Sequence, residues 1–315
     1  MGHAISPTVS VSWLRDHLGD PDLLVVDAST QFTVHDDGTF TLEPGRHAYT
    51  TAQIPGAVFA DLLTDFADPT AEHPVTAPDS ARFAAAAGTL GIRDGVRVVV
   101  YDRHDGMWAT RFWWQLRLEG FDDVSTLDGG LAAWRAAGCD VASNPIPPTP
   151  ATFTPRRRPA LLRSTAEVQA AIDDDGTVLV AVVDPAAYRG ETAVFARRGH
   201  IPTSINIPID RIRDPQTGSL RPTAELRTLF ATAGLLDAET APVTYCGGGG
   251  APPPPPPAHA GGGGGPPPGG QRRSHPRGKD HHHPPHPVLH RCHPRPRRGT
   301  RRYRRHGSDD PGART

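Results

Sequence analysis

Val96-Arg97-Val98-Val99-Val100-Tyr101-Asp102 is a short apolar run that closes on an acid, and Leu23-Leu24-Val25-Val26-Asp27 has the same form. Runs of this length without polar alternation read as strands buried on both faces of a parallel sheet. Helical patterns surround them. Ser80 to Leu90 is alanine-rich with Ser80 as the expected N-cap, and Ala109 to Glu119 places Phe112, Trp113 and Leu116 at helical spacing. Val124 to Leu127 is a third strand candidate, followed by Asp128-Gly129-Gly130 and a helix from Leu131 to Ala137 that ends at Gly138. Strands alternating with helices predict an α/β domain layered around a parallel sheet.

The pattern then restarts. Ser164 to Ile172 reads as a helix capped by Ser164 with Glu167 three residues on, Val178 to Val183 as a strand, and Thr223 to Ala233 as a second helix. Pro242-Val243-Thr244-Tyr245-Cys246 repeats the ending at Asp102 with an offset of 144, and Gln53-Ile54-Pro55-Gly56-Ala57-Val58 returns as His200-Ile201-Pro202-Thr203-Ser204-Ile205 with an offset of 147. So long a period excludes a solenoid and predicts two tandem copies of one α/β domain. Residues 142–160 hold six prolines and Arg156-Arg157-Arg158 without apolar periodicity, which reads as a linker. The expected division is a first copy over 1–141, the linker over 142–160, a second copy over 161–250 and a tail over 251–315.

Charge and composition separate at the same place. The formal net charge of -1 over 315 residues hides an acidic body and a basic tail: residues 1–246 carry 20 Lys and Arg against 31 Asp and Glu, residues 247–315 carry 13 against 3. The last 69 residues also hold 15 of the 33 Gly, 16 of the 35 Pro and 9 of the 16 His. Such a segment cannot bury enough apolar surface to offset its chain entropy, so the tail is expected to be disordered. Three scattered cysteines, Cys139, Cys246 and Cys292, exclude a disulfide framework or a zinc site of paired cysteines. Without a basic patch and apolar run at the N-terminus, or the roughly 20 apolar residues of a membrane helix, the expected setting is a reducing, cytoplasmic one with no membrane partner.

Open α/β sheets place their sites just beyond the carboxyl ends of strands. In the second copy that position is Cys246, followed by Gly247-Gly248-Gly249-Gly250. Consecutive glycines let backbone N–H groups turn inward around one atom, a nest that favours an anion. A cysteine held there is expected to be a thiolate nucleophile near neutral pH. Trp113, Trp114 and Trp134 read as core and interdomain packing, His200 as a structural hydrogen-bonding residue, and Cys139 and Cys292 as incidental.

These residues resemble the two-domain rhodanese-type sulfurtransferases, the thiosulfate and 3-mercaptopyruvate sulfurtransferase family. The resemblance runs over about residues 10–250. In the first copy it rests on Asp27, Ile54-Pro55-Gly56-Ala57, Leu90-Gly91-Ile92, Val98 to Asp102, Trp113-Trp114 and Leu127-Asp128-Gly129-Gly130-Leu131-Ala132-Ala133-Trp134. In the second it rests on Tyr188-Arg189-Gly190-Glu191, Gly199-His200-Ile201-Pro202 and Tyr245-Cys246-Gly247. It implies an inactive first domain, with Asp102 in place of the cysteine, and a persulfide carried on Cys246 of the second. The implied partners are a small sulfur donor and a cyanide or thiol acceptor, with no cofactor and no metal. Donor binding would fall to Gly247, Gly248, Gly249, Gly250 and Arg189, with His73 and Asp61 as helpers from the first domain. The Cys-Gly-x-Gly opening resembles the mercaptopyruvate type more than the thiosulfate type.

The chain departs from that pattern at several positions. Gly248 stands where the mercaptopyruvate type has Ser or Thr, Ala181 and Val183 where the family has a strand-end Asp and a substrate-binding Arg, and Thr203 where it has the glycine of His-Ile-Pro-Gly. After the loop come Ala251 and six prolines from Pro252 to Pro257, which cannot form a helix. The second copy is therefore expected to lack a helix, a strand and a helix that the first possesses, including the helix whose N-terminus would face a thiolate. The tail's Gly, Pro, Arg, His and Ala, with Lys279 its single lysine, read as GC-rich DNA translated out of frame. His281-His282-His283 with His286, His290 and His293, and the arginines from Arg295 to Arg305, would bind metal ions or polyanions non-specifically, with no specific nucleic-acid partner. The alternative to an enzyme is an inactive or truncated rhodanese-like module with a binding or regulatory role, or none.

Overall fold

A computed structural model of the chain describes residues 6–35, 40–143, 145–192 and 197–246. The glycines 247–250 and the tail expected over 251–315 lie outside the described residues. In chain order the first copy gives β1 (Thr8–Val9), α1 (Val11–His17), β2 (Leu23–Asp27), β3 (Thr30–Val34), β4 (Phe40–Pro44), α2 (Arg46–Thr51) and β5 (Val58–Phe59). It continues with α3 (Ser80–Thr89), β6 (Arg97–Tyr101), α4 (Met107–Leu118), β7 (Val124–Leu127) and α5 (Gly130–Ala136). The second gives α6 (Thr165–Ala171), β8 (Thr177–Ala181), α7 (Pro185–Tyr188), β9 (Ile205–Asn206), α8 (Thr223–Thr232) and β10 (Ala241–Tyr245).

Five parallel strands in the order β1-β7-β6-β2-β5 form the first sheet, with β3 and β4 as a separate antiparallel hairpin. Side chains of successive strand residues point to opposite faces, and both faces are covered. Val98 and Val100 pack with Phe83 of α3 and Phe112 and Leu116 of α4, while Val99 and Tyr101 pack with Leu14, Leu131 and Trp134. That two-sided burial is why Val98, Val99 and Val100 run without polar alternation. The second sheet has three parallel strands among the described residues, in the order β10-β8-β9, with Val180 packed on Leu226 and Phe230 of α8.

The repeat extends to register and hydrogen bonding. Asp27 lies opposite Tyr101 and Phe59, and Ala181 lies opposite Tyr245 and Asn206. The Ile54 N–H donates to the Tyr101 hydroxyl at 3.2 Å, and the Ile201 N–H donates to the Tyr245 hydroxyl at 3.0 Å. β10 differs from β6 in burial: β6 has four buried residues and β10 has none. Strand β7 covers the outer edge of β6, whereas β10 has no outer neighbour among the described residues.

Several local expectations are corrected. The cap of α3 is Asp79, whose carboxylate accepts the Arg82 N–H at 2.8 Å, because Asp79 holds the extended backbone of a cap and Ser80 is already helical. Helix α4 starts at Met107, two residues early, and β8 stops at Ala181 because its partner β10 ends opposite at Tyr245. Ser164 and Glu167 form the expected reciprocal capping box of α6. The proline-rich segment is strapped to the first copy: Phe153 is buried against Phe83 and Phe121, worth about 2 kcal/mol of apolar burial, and Arg157 pairs with buried Glu119 at 2.7 Å.

Thr203 occupies a left-handed turn, φ +65°, where its counterpart Gly56 has φ +78°. A β-branched residue is strained there by Cβ clashes that glycine does not make. Thr203→Gly is expected to stabilise the protein by about 1 kcal/mol, after the larger unfolded-state entropy of glycine is counted. Denaturant titration checks this, and a lowered midpoint with unchanged slope would contradict it.

Candidate active site

Cys246 follows the last residue of β10, at the carboxyl edge of the second sheet, and is a half-buried thiol outside any disulfide. The paired Ile–Tyr hydrogen bonds align it with Asp102. The sister loop has the local geometry of an anion site. Asp102 is fully buried, and its carboxylate accepts the N–H groups of His104 at 3.0 Å, Gly106 at 3.1 Å and Ala109 at 2.9 Å. Ala109 lies in the first turn of α4, whose N-cap Gly106 has no side chain to offer, so Asp102 satisfies helix-terminal donors from across the loop. The first copy thus fills its own cradle with a carboxylate. Gly247, Gly248, Gly249 and Gly250, expected to form the equivalent nest, lie outside the described residues.

Arg111 of α4 was absent from the expected site and lies beside it. Its side chain is 2% exposed, its guanidinium packs over the Trp114 ring at 5.0 Å, and its Nη2 donates to the Val75 carbonyl. Burial pulls the Arg111 pKa down to about 10, and the charge of Cys246 acts in the opposite direction. The sequence held a signal for this: Trp108, Phe112 and Leu116 form the buried face of α4, and Arg111 and Gln115 interrupt it with polar groups.

His73 is exposed, and its carbonyl accepts the Thr76 hydroxyl at 2.8 Å. Two residues on, Val75 is buried with φ +58° and is held by Arg111. Asp61 is buried and folded onto its own turn, accepting the N–H groups of Leu63 at 3.1 Å and Thr64 at 3.2 Å, with Arg46 3.8 Å away. Arg189 is exposed in a two-point pair with Glu191, at 2.6 and 2.8 Å, which holds its guanidinium pKa up. His200 stacks on Tyr188 with ring centroids 3.8 Å apart and contacts the Tyr188 carbonyl through Nδ1 at 2.7 Å, a structural arrangement.

The missing strand-end acid has a structural counterpart. Asp27 is buried, which pushes its carboxyl pKa up, while the Ser29 N–H at 2.9 Å and Arg103 at 3.3 Å favour the charged form. Ala181 replaces Asp27, and Gly247, 144 residues after Arg103, replaces the arginine. Losing both members of a buried pair leaves no stranded charge, which makes the double change far cheaper than either alone. The two copies also interlock near the loop. Buried Arg213 donates to the Gly218 carbonyl at 2.8 Å, lies 3.8 Å from Asp128, and occupies the space over Gly106 that any Cβ would invade.

Among the described residues no group of His, Cys, Asp and Glu could hold a metal ion, and no helix is long and apolar enough to cross a membrane. The histidine cluster of the tail lies outside them.

A family model for the rhodanese-like domain matches residues 10–137 and 164–254. Thiosulfate/3-mercaptopyruvate sulfurtransferase 2 of Arabidopsis thaliana is 34% identical over 248 residues, covering 71% of this chain and 70% of that protein. Thiosulfate sulfurtransferase of Rattus norvegicus is 32% identical over 232 residues, covering 70% and 75%. The crystal structure of SseA from Escherichia coli, a 3-mercaptopyruvate sulfotransferase with the rhodanese fold, superposes with a TM-score of 0.68 at 28% identity, over 78% of this chain and 90% of that one.

Proposed function

The chain belongs to the rhodanese-like sulfurtransferase family, and from that premise we propose that it moves a sulfane sulfur from a small anionic donor to a thiophilic acceptor through Cys246. The observation that carries this is internal to the chain. Asp102, the counterpart of Cys246, sits in a cradle of three N–H donors within 3.1 Å, and Cys246 brings a nucleophile to the same position of the second copy.

The chemistry divides into two displacements on sulfur. The Cys246 thiolate attacks the outer sulfur of the donor, a new S–S bond forms, and the old bond to that sulfur breaks with its electron pair leaving on the donor. Thiosulfate leaves as sulfite, and 3-mercaptopyruvate leaves as the pyruvate enolate, which takes up a proton. The terminal sulfur of the persulfide is then attacked by cyanide or a thiolate, and the electron pair of the S–S bond returns to Cys246. The Cys-Gly-x-Gly opening favours 3-mercaptopyruvate. Gly247 to Gly250, Arg189, His73 and Asp61 are the proposed donor-binding residues, and the proposed setting is a reducing, cytoplasmic one, in which Cys139 and Cys246 would stay outside any disulfide.

Because donor product leaves before acceptor reacts, initial rates with both substrates varied should give parallel double-reciprocal lines. Intersecting lines would require a ternary complex and would overturn the persulfide route.

A further inference from the structure

Resting on the reading of Cys246 as the sulfur carrier, we propose that Asn206 is a positioning residue of the site: its carboxamide clamps the turn after β8 and, through that turn, fixes the peptide bond that enters Cys246. Asn206 Nδ2 donates to two carbonyls of the turn, Ala181 at 3.0 Å and Val183 at 3.0 Å. Between those residues the Val182 N–H donates to the Tyr245 carbonyl at 2.8 Å. That carbonyl lies in the plane of the peptide joining Tyr245 to Cys246, so the direction in which the nucleophile leaves β10 depends on the turn. Tyr245 is held at its other end as well, where its hydroxyl accepts the Ile201 N–H at 3.0 Å and contacts the Ser204 hydroxyl at 2.7 Å.

The first copy shows what the clamp replaces. Its backbone bonds are the same: the Ala28 N–H donates to the Tyr101 carbonyl at 2.9 Å as Val182 does to Tyr245, and the Ala60 N–H donates to the Asp27 carbonyl at 2.9 Å as Ile207 does to Ala181 at 3.1 Å. The side chains differ. There the turn is pinned from its own strand, with the Asp27 carboxylate accepting the Ser29 N–H at 2.9 Å and pairing with Arg103 at 3.3 Å. The residue of β5 opposite Asp27 is Phe59, buried in the core beside Tyr49. In the second copy the acid and the arginine are Ala181 and Gly247, and the residue opposite is Asn206. Val183, the counterpart of Ser29, is thus tied down from the neighbouring strand. Asparagine is a poor strand former, and it stands between Ile205 and Ile207 where the first copy buries a phenyl ring. What it gains there is two hydrogen bonds that need a nitrogen with two hydrogens, since both partners are carbonyl oxygens. Displacement at a donor sulfur requires the thiolate in line with the bond that breaks, so loosening the turn costs turnover more than donor binding.

The test compares the full-length wild type with Asn206→Leu, which keeps the shape and removes both donors, after thermal unfolding has shown that each is folded. Amide exchange read by mass spectrometry on peptides spanning 181–184 is expected to quicken at least about tenfold in the variant, with β6 unchanged. Sulfur transfer from 3-mercaptopyruvate to cyanide is expected to lose about tenfold in kcat with KM within about twofold of wild type, a split that a misplaced nucleophile gives and a lost donor contact does not. Asn206→Asp also keeps the shape but offers only acceptors when ionised; it carries the same expectations and serves where the leucine variant does not fold. A folded variant whose exchange over 181–184 matches wild type, or whose kcat does, overturns the proposal. Wild type that transfers no sulfur would count against the persulfide reading, and the exchange comparison would still decide whether Asn206 holds the turn.

Discussion

Cys246→Ser is expected to abolish sulfur transfer from either donor, with a loss of at least about a thousandfold in turnover. The residue is the carrier as well as the nucleophile, and a serine hydroxyl neither ionises near neutral pH nor forms the S–S bond on which the second half-reaction depends. The other described thiol cannot take over: Cys139 packs against the core that contains Trp134 and Leu131, at the far end of α5 from the sheet edge. Thiocyanate formation from cyanide with 3-mercaptopyruvate or thiosulfate checks this. Serine variant rates within tenfold of wild type would place the chemistry elsewhere.

Asp102→Ala is expected to destabilise the first domain by about 3 kcal/mol without touching the nucleophile. The carboxylate is fully buried and satisfies three N–H groups, one of them in the first turn of α4, which has no side-chain cap of its own. Alanine leaves those donors facing a small cavity. Relief from burying a charge offsets part of the loss, which keeps the figure below the sum of three charged hydrogen bonds. Denaturant unfolding measures the change. A variant within about 0.5 kcal/mol of wild type would show that the loop does not depend on its anion, and the analogy between the two loops would lose its physical basis.

The elements that a sequence pattern can reveal are those whose periodicity comes from two-sided burial. Leu23 to Val26 of β2 and Val98 to Val100 of β6 are unbroken apolar runs because both faces of the sheet are covered, and α6 announces itself through Ser164 and Glu167. The two-residue strands β1, β5 and β9 carry no period, and the hairpin of β3 and β4 is half exposed, with Phe32 and Phe40 facing solvent. The proline-rich segment hid Phe153, a single apolar residue that becomes part of the first core. Its composition resembles a free linker because the backbone, held by Arg156, Arg157 and Arg158, needs no apolar repeat to stay in place.

The site divides in the same way. Cys246 was legible because the repeat projects Asp102 onto it, and Thr203 because it breaks a glycine turn whose left-handed backbone the structure retains. Arg213 over Gly106 was not, because it is a contact between copies that local spacing does not encode, needing a glycine in one copy and an arginine in the other.

The most direct test of the account is the mass of the intact protein after incubation with 3-mercaptopyruvate or thiosulfate, followed by peptide mapping. One added sulfur, about 32 Da, located on Cys246 and discharged by cyanide, is the predicted result. Folded protein that gains no sulfur on Cys246 from either donor would contradict it.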